Sequence, residues 1–140
     1  MNLNQSIAIT YILLATTPAA FAEPRVNYSG YIVCQKLSTT RNLLQSPVSV
    51  VIDGEKVVLT RPIFNPARTF VVSNESALGS ISPNGEIQIE SRFDSNESSF
   101  IGKYSGSLKD ESGILRGAQE WTMTKGAESR QCSIAFIQHK

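Results

Sequence analysis

The chain of 140 residues reads as all-β: a small antiparallel meander barrel of about eight strands, pinned by one disulfide. Three observations predict this. Short runs of β-branched and aromatic residues recur along the chain, each ended by a Gly, Pro, Asn, Asp or Ser turn signal. Glycines stand inside the later runs, at Gly102, Gly106 and Gly117, where a strand must coil sharply or admit a close neighbour. Finally, Cys34 and Cys132 fall in the first and last strand candidates. A bond between them would join the two edges that must meet to close a barrel, and closure removes exposed edges. A β-sandwich is the alternative, since it too can bring these strands together.

The N-terminal segment stands apart. An apolar run, Ile7 to Ala15, is followed by Thr16-Thr17-Pro18 and then Ala19-Ala20-Phe21-Ala22. A short apolar core ending in a small-x-small triplet is what a signal peptidase reads, so residues 1–22 are expected to be a signal peptide cleaved before Glu23. The run is shorter than the ~20 apolar residues a membrane helix needs. Its leading MNLNQS has no Lys or Arg, a departure from the usual basic start, and the alternative is an ordinary N-terminal strand or helix. On the export reading, residues 23–140 form one domain in a bacterial periplasm or the medium. In an oxidising compartment Cys34 and Cys132 are most simply a disulfide. Closing nearly the whole domain, it would stabilise by roughly 4–5 kcal/mol on the chain-entropy account. A metal pair finds no support, because no neighbouring His or second Cys pair exists.

The elements follow in order. Val26–Gln35 is the first strand, with Ile32 and Cys34 on one face and Tyr31 and Val33 on the other. Lys36–Ser46 breaks the pattern and is either a loop or one helical turn capped by Ser38. Pro47–Ile52 and Glu55–Thr60 flank Asp53-Gly54, a hairpin signal in which both turn residues take positive φ. Pro62 and Pro66 bracket an irregular connection, since neither can donate a ladder hydrogen bond. Ala67–Ser73 is a further strand, then Leu78–Ile81 enters the Ser82-Pro83-Asn84-Gly85 turn. Glu86–Arg92 alternates, with Ile87 and Ile89 on one face. Ser99–Leu108 sets Phe100, Gly102, Tyr104, Gly106 and Leu108 on one face. Ile114–Thr124 likewise sets Leu115, Gly117, Gln119, Trp121 and Met123, and Arg130–Gln138 sets Cys132, Ile134 and Phe136.

Composition bounds the function. A hydrophobic share of 41% places the chain among globular proteins rather than disordered ones. A formal net charge of +1, with no long run of like charges, gives no footprint for nucleic acid or an anionic membrane. Stable membrane insertion is not expected. The single histidine, His139, lies beside the C-terminus, a poor place for a positioned base, so Ser-His-Asp and Cys-His arrangements are excluded. No phosphate-cradling loop, dinucleotide fingerprint or metal cluster is present. No catalytic residue, metal or cofactor is assigned. The carboxylate pairs Glu86/Glu90 and Asp110/Glu111 lie at turns or on outward faces, where solvated surface is the better reading than glycoside chemistry.

Gln119 is the polar residue of most interest, because Leu115, Trp121 and Met123 share its face. A buried amide must find partners. It is either a satisfied core glutamine or, with Tyr104 and Trp121, part of a small pocket for an apolar or amphipathic molecule. A register error of one residue would put it outside.

The combination GSISPNGEIQI, then FIGKYSGSLKDESGILRGAQEW, then RQCSI, with NYSGYIVC and PVSVVI before it, resembles a family of small exported β-rich proteins of rhizobia and related alphaproteobacteria. That family has no assigned activity, so the resemblance implies no site residues. Two functions lead, ahead of an enzyme of unusual type, for which no positioned acid–base pair is visible. The first is an exported, non-enzymatic binding protein acting at the envelope or against a host, its partner an unknown protein or a small apolar ligand. The second is a periplasmic or secreted inhibitor of a protease or lysozyme, using Glu23-Pro24-Arg25 or the Pro62–Pro66 loop.

Overall fold

The computed structural model describes residues 24–64, 67 and 69–140; the expected signal peptide, residues 1–22, lies outside the described residues. Eight strands follow in chain order: β1 Val26–Cys34, β2 Leu44–Asp53, β3 Lys56–Phe64, β4 Val71–Ile81, β5 Glu86–Asp94, β6 Ser98–Lys109, β7 Ser112–Met123 and β8 Gly126–Gln138. Each pairs antiparallel with the next, and β8 returns to pair with β1, so the barrel is closed and the sandwich alternative falls.

Alternation decides what faces in. On β2, Val48, Val50 and Ile52 are buried; on β3, Val57 and Leu59; on β5, Ile87 and Ile89; on β8, Ile134 and Phe136. Their neighbours Lys56, Gln88, Lys103 and Arg116 are exposed. Apolar-in and charged-out is the reverse of the alternation a lipid-spanning barrel needs. Among the described residues, no helix is long and apolar enough to cross a membrane.

Closure is fastened where the sequence places it. Cys34 lies directly opposite Cys132 in the β1–β8 register, and the two are bonded. Gln35 N–H donates to the Gln131 carbonyl at 2.9 Å, which makes the cysteines a non-hydrogen-bonded pair. That kind brings Cα atoms closest, here to 4.0 Å. The strand glycines also meet their expected role. A Cβ on Gly117 would lie 1.8 Å from the Lys103 carbonyl oxygen, and one on Gly106 would lie 2.0 Å from that of Ile114. Only glycine allows β6 and β7 to approach this closely.

Three local readings need correction. The β2–β3 turn is centred on Gly54 and Glu55, with Asp53 paired to Lys56. Gly54 alone takes a positive φ, 57°, so the glycine fills the first turn position and the hairpin shifts by one residue. Pro62 is not a loop residue. It lies inside β3 opposite Asn74, a place proline can hold only where its missing N–H is not needed by a ladder. Residues 67–73 and 78–81 do not belong to separate strands. Val71–Ile81 is one strand, because Glu75 in its middle points inward instead of marking a turn. The Ser82–Gly85 turn is as expected: Gly85 N–H closes on the Ser82 carbonyl at 2.9 Å, and Gly85 has φ 86°. Residues 35–43 form a loop with one turn, Thr40 N–H to Leu37 O at 3.0 Å, and no helix.

Strand direction gives the barrel two unlike ends. One carries the tight connections 54–55, 82–85 and 110–111; its interior is apolar, with Tyr28 and Phe136 in edge contact at 5.5 Å. The other carries 35–43, the connection from β3 to β4, 95–97 and 124–125. Its interior is polar.

Candidate functional site

At the loop-bearing end the inward positions of six successive strands carry Arg61 (β3), Glu75 (β4), Ser91 (β5), Tyr104 (β6), Gln119 (β7) and Arg130 (β8), all buried. The register assembles them. Arg61 stands opposite Glu75. Ser91, Gly102, Gln119 and Arg130 form one cross-strand row. Tyr104 sits two residues deeper on β6 and reaches back over Gly102. A Cβ on Gly102 would lie 2.6 Å from the Tyr104 hydroxyl and 2.5 Å from the Ser91 hydroxyl. Glycine there is what lets both hydroxyls into the layer.

The hydrogen bonds chain these groups together. Arg61 donates through Nε to Glu75 Oε2 at 2.7 Å, and its Nη2 makes a second, very short contact with the same oxygen. Arg130 Nε donates to Gln119 Oε1 at 2.8 Å. Gln119 Nε2 donates to the Tyr104 hydroxyl at 2.8 Å, and Trp121 Nε1 donates to Gln119 Oε1 at 3.2 Å. The Ser91 hydroxyl lies close enough to the Tyr104 phenol to affect its ionisation. Yet Ser91 makes no hydrogen bond of acceptable geometry, although it is only 1% exposed.

The charges do not balance. Two guanidinium groups, Arg61 and Arg130, share this end with one buried carboxylate, Glu75. Glu75 is in an ion pair with Arg61; among the described residues Arg130 forms none. Further along β8, Glu128 is engaged instead by the Ser38 N–H and hydroxyl, at 2.7 and 2.6 Å. Burial, and then the Arg61 charge beside it, pull the Arg130 guanidinium down to about 10; it therefore remains a cation at neutral pH. Burial, and then the charge of Glu75, push the Tyr104 phenol above its ordinary value.

Aromatic rings lie over this layer. Phe93, Phe100 and Trp121 are cross-strand neighbours on β5, β6 and β7. Their centroids are 5.5 Å apart for Phe93–Phe100 and 4.6 Å for Phe100–Trp121. The Arg130 guanidinium carbon stands 5.2 Å from the Trp121 ring centre, a cation–π contact. At the same end, Phe64, Phe70, Val71 and Val72 are exposed around the β3–β4 connection.

Tyr104, Gln119 and Trp121, singled out from sequence, are therefore brought together, with Gln119 fully inside. Sequence reasoning missed Arg61, Glu75, Ser91 and Arg130. Parity was the available signal: Arg61 continues the Val57, Leu59 face and Arg130 the Cys132, Ile134 face. The carboxylates Glu86, Asp110 and Glu111 are exposed and Glu90 half-buried; Glu90 pairs only with Arg92 at the surface. Among the described residues no three His, Cys, Asp or Glu side chains gather into a metal-binding group.

No family model matches this chain, and no curated protein matches it. One solved structure, the ywiB protein from Bacillus subtilis, aligns over 83% of this chain and 92% of its own, with 11% identity and a TM-score of 0.38. At that score the likeness carries no argument for fold or function.

Proposed function

We propose that this protein is an exported, non-enzymatic binding barrel that seats a small apolar or amphipathic molecule at its loop-bearing end. The observation that carries the reading is the presence of three kinds of surface at this end. Exposed apolar residues (Phe64, Val71, Val72), the Phe93–Phe100–Trp121 rings and a buried polar layer holding Gln119 and Tyr104 all lie there. Apolar walls with a few convergent polar groups are the usual make-up of a small-molecule site. Exposed apolar side chains clustered at one end also point to a contact surface.

Export is supported by the disulfide, a bond that persists in oxidising compartments, and by the apolar run with its Ala20-Phe21-Ala22 triplet. The inhibitor alternative is weaker, because Pro62 and Ile63 lie inside β3, paired with β4, and are not free to enter an active site.

Trp121 is the only tryptophan, so its emission reports on the site directly. Titration with neutral and charged medium-chain amphiphiles is expected to give a saturable change in emission and a rise in Tm. No saturable change with any of them, up to their solubility limits, would sink the binding reading.

A further inference from the structure

We propose that the molecule taken by this end of the barrel is an amphipathic acid, with its carboxylate seated against Arg130 and its apolar part against Phe93, Phe100 and Trp121. This rests on the binding reading above and specifies the ligand's chemistry.

The argument is one of charge and hydrogen-bond accounting. A buried cation is held at a cost unless it is paired. Arg61 is paired with Glu75. Arg130, 6% exposed, has an amide oxygen and an indole face but no carboxylate among the described residues. Among the described residues the layer thus holds one positive charge more than it neutralises. A single anionic group restores neutrality, whereas a dianion would overshoot it. Arg130 spends its Nε on Gln119. Its two terminal nitrogens present the parallel pair of donors that a carboxylate accepts bidentately.

An independent observation points the same way. Ser91 is 1% exposed, faces inward on the same row as Gln119 and Arg130, and its hydroxyl makes no hydrogen bond of acceptable geometry, although the Tyr104 phenol lies beside it. A buried hydroxyl left unpaired costs free energy that an acceptor placed there would recover. The layer therefore offers an arginine fork and a poorly paired hydroxyl, with no carboxylate among the described residues to satisfy the fork. The apolar part of the ligand follows from what lies above. The Phe93, Phe100 and Trp121 rings and the exposed Phe64, Val71 and Val72 give a tail somewhere to lie, while offering a bare inorganic anion nothing.

The test compares decanoate with decanol, which share a chain and differ in charge, by Trp121 emission on the full-length mature protein. Decanoate is expected to bind about tenfold tighter or more, the ratio a charge-assisted bond gives over a neutral one. Arg130→Gln is expected to erase that preference. Equal affinities would overturn the assignment of an acid while leaving a binding site; binding of neither would overturn both readings. Retention of the preference in Arg130→Gln would overturn the role of Arg130. The acid–alcohol comparison needs only the native protein, so the proposal stands or falls even if the variant does not fold. Sodium chloride and phosphate form the control arm: competition by chloride at concentrations that match decanoate would show that any anion suffices and would refute the amphipathic assignment.

Discussion

Glu75→Gln tests the electrostatic account of the loop-bearing end. The substitution keeps the size of the side chain and removes its charge. Arg61 and Glu75 have side chains only 7% and 2% exposed, so water cannot take over the pairing. Removing one partner of a buried pair costs about 3–5 kcal/mol, because the other charge is left uncompensated. The layer would then hold Arg61 and Arg130 with no carboxylate between them, which places the cost at the upper part of that range. Against a total stability of ~5–15 kcal/mol for a domain, this is a large fraction. At roughly 4 °C per kcal/mol for a domain of this size, Tm should fall by about 16–20 °C. Urea unfolding with the disulfide intact measures the loss, and an unchanged m-value assigns it to stability rather than to a looser fold. The double substitution Arg61→Met with Glu75→Met is the control. It removes both charges and should recover most of the loss, since apolar replacement of a buried pair is often neutral or stabilising. A loss below about 1 kcal/mol for Glu75→Gln, or a double variant as unstable as the single one, would refute the reasoning: packing, not charge, would then decide the stability of this end.

Two further outcomes follow from the same structure. The Cys34–Cys132 bond closes a loop of sequence separation 98, so the double alanine variant should lose up to roughly 4–5 kcal/mol by denaturant unfolding on the chain-entropy account; mass spectrometry of the unreduced native protein should show the two peptides linked. Tyr104 makes alkaline stability diagnostic. Its phenol is raised above 10 in the folded barrel, first by burial and then by Glu75, so the folded state holds its proton longer than the unfolded chain does. The stability this supplies is whole below pH 10 and is lost as pH rises above that value through the folded pKa. Native protein should therefore lose stability more steeply above pH 10 than Tyr104→Phe, with the raised Tyr28 phenol present in both and cancelling; parallel curves would show that Tyr104 is not held neutral by burial.

The architecture was legible because its strands obey one rule. Wherever apolar residues alternate, as in Ile87 and Ile89 or Ile134 and Phe136, the face that the sequence assigns inward is the buried one. The same rule carried Gln119 inside, since its apolar neighbours Leu115 and Trp121 fix the parity of β7. The rule became unreadable where charged residues hold inward positions. Glu75 sits in Asn74-Glu75-Ser76, a polar triplet that looks like a turn between two strands, and it split β4 in two. Arg61 next to Pro62 looked like the start of a loop. Arg130 looked like the first residue of the last strand, and its inward parity with Cys132 went undrawn. Local patterning cannot distinguish a charge that points to water from one that points to a countercharge on the next strand, because the countercharge is visible only once Arg61 and Glu75 are in register.

These failures are not scattered; they fall on one end of one barrel. A fold selected only for closure would carry the aliphatic filling of the tight-turn end through to the loop end, where Val and Leu at positions 61, 75 and 130 would satisfy both pattern and packing. Instead, the chain breaks its own pattern with charged residues on three strands, β3, β4 and β8, and all three breaks are buried at the same end, with Arg130 against the Trp121 ring. Positions where local preference and global structure disagree are where function or strain is expected to lie. Here the disagreement has a definite sign. Among the described residues it leaves one cation, Arg130, buried without a carboxylate, and one hydroxyl, Ser91, buried without a hydrogen bond of acceptable geometry. The ligand proposed above, one negative charge on an apolar tail, would supply the countercharge that Arg130 lacks while its tail meets the aromatic rings over the layer.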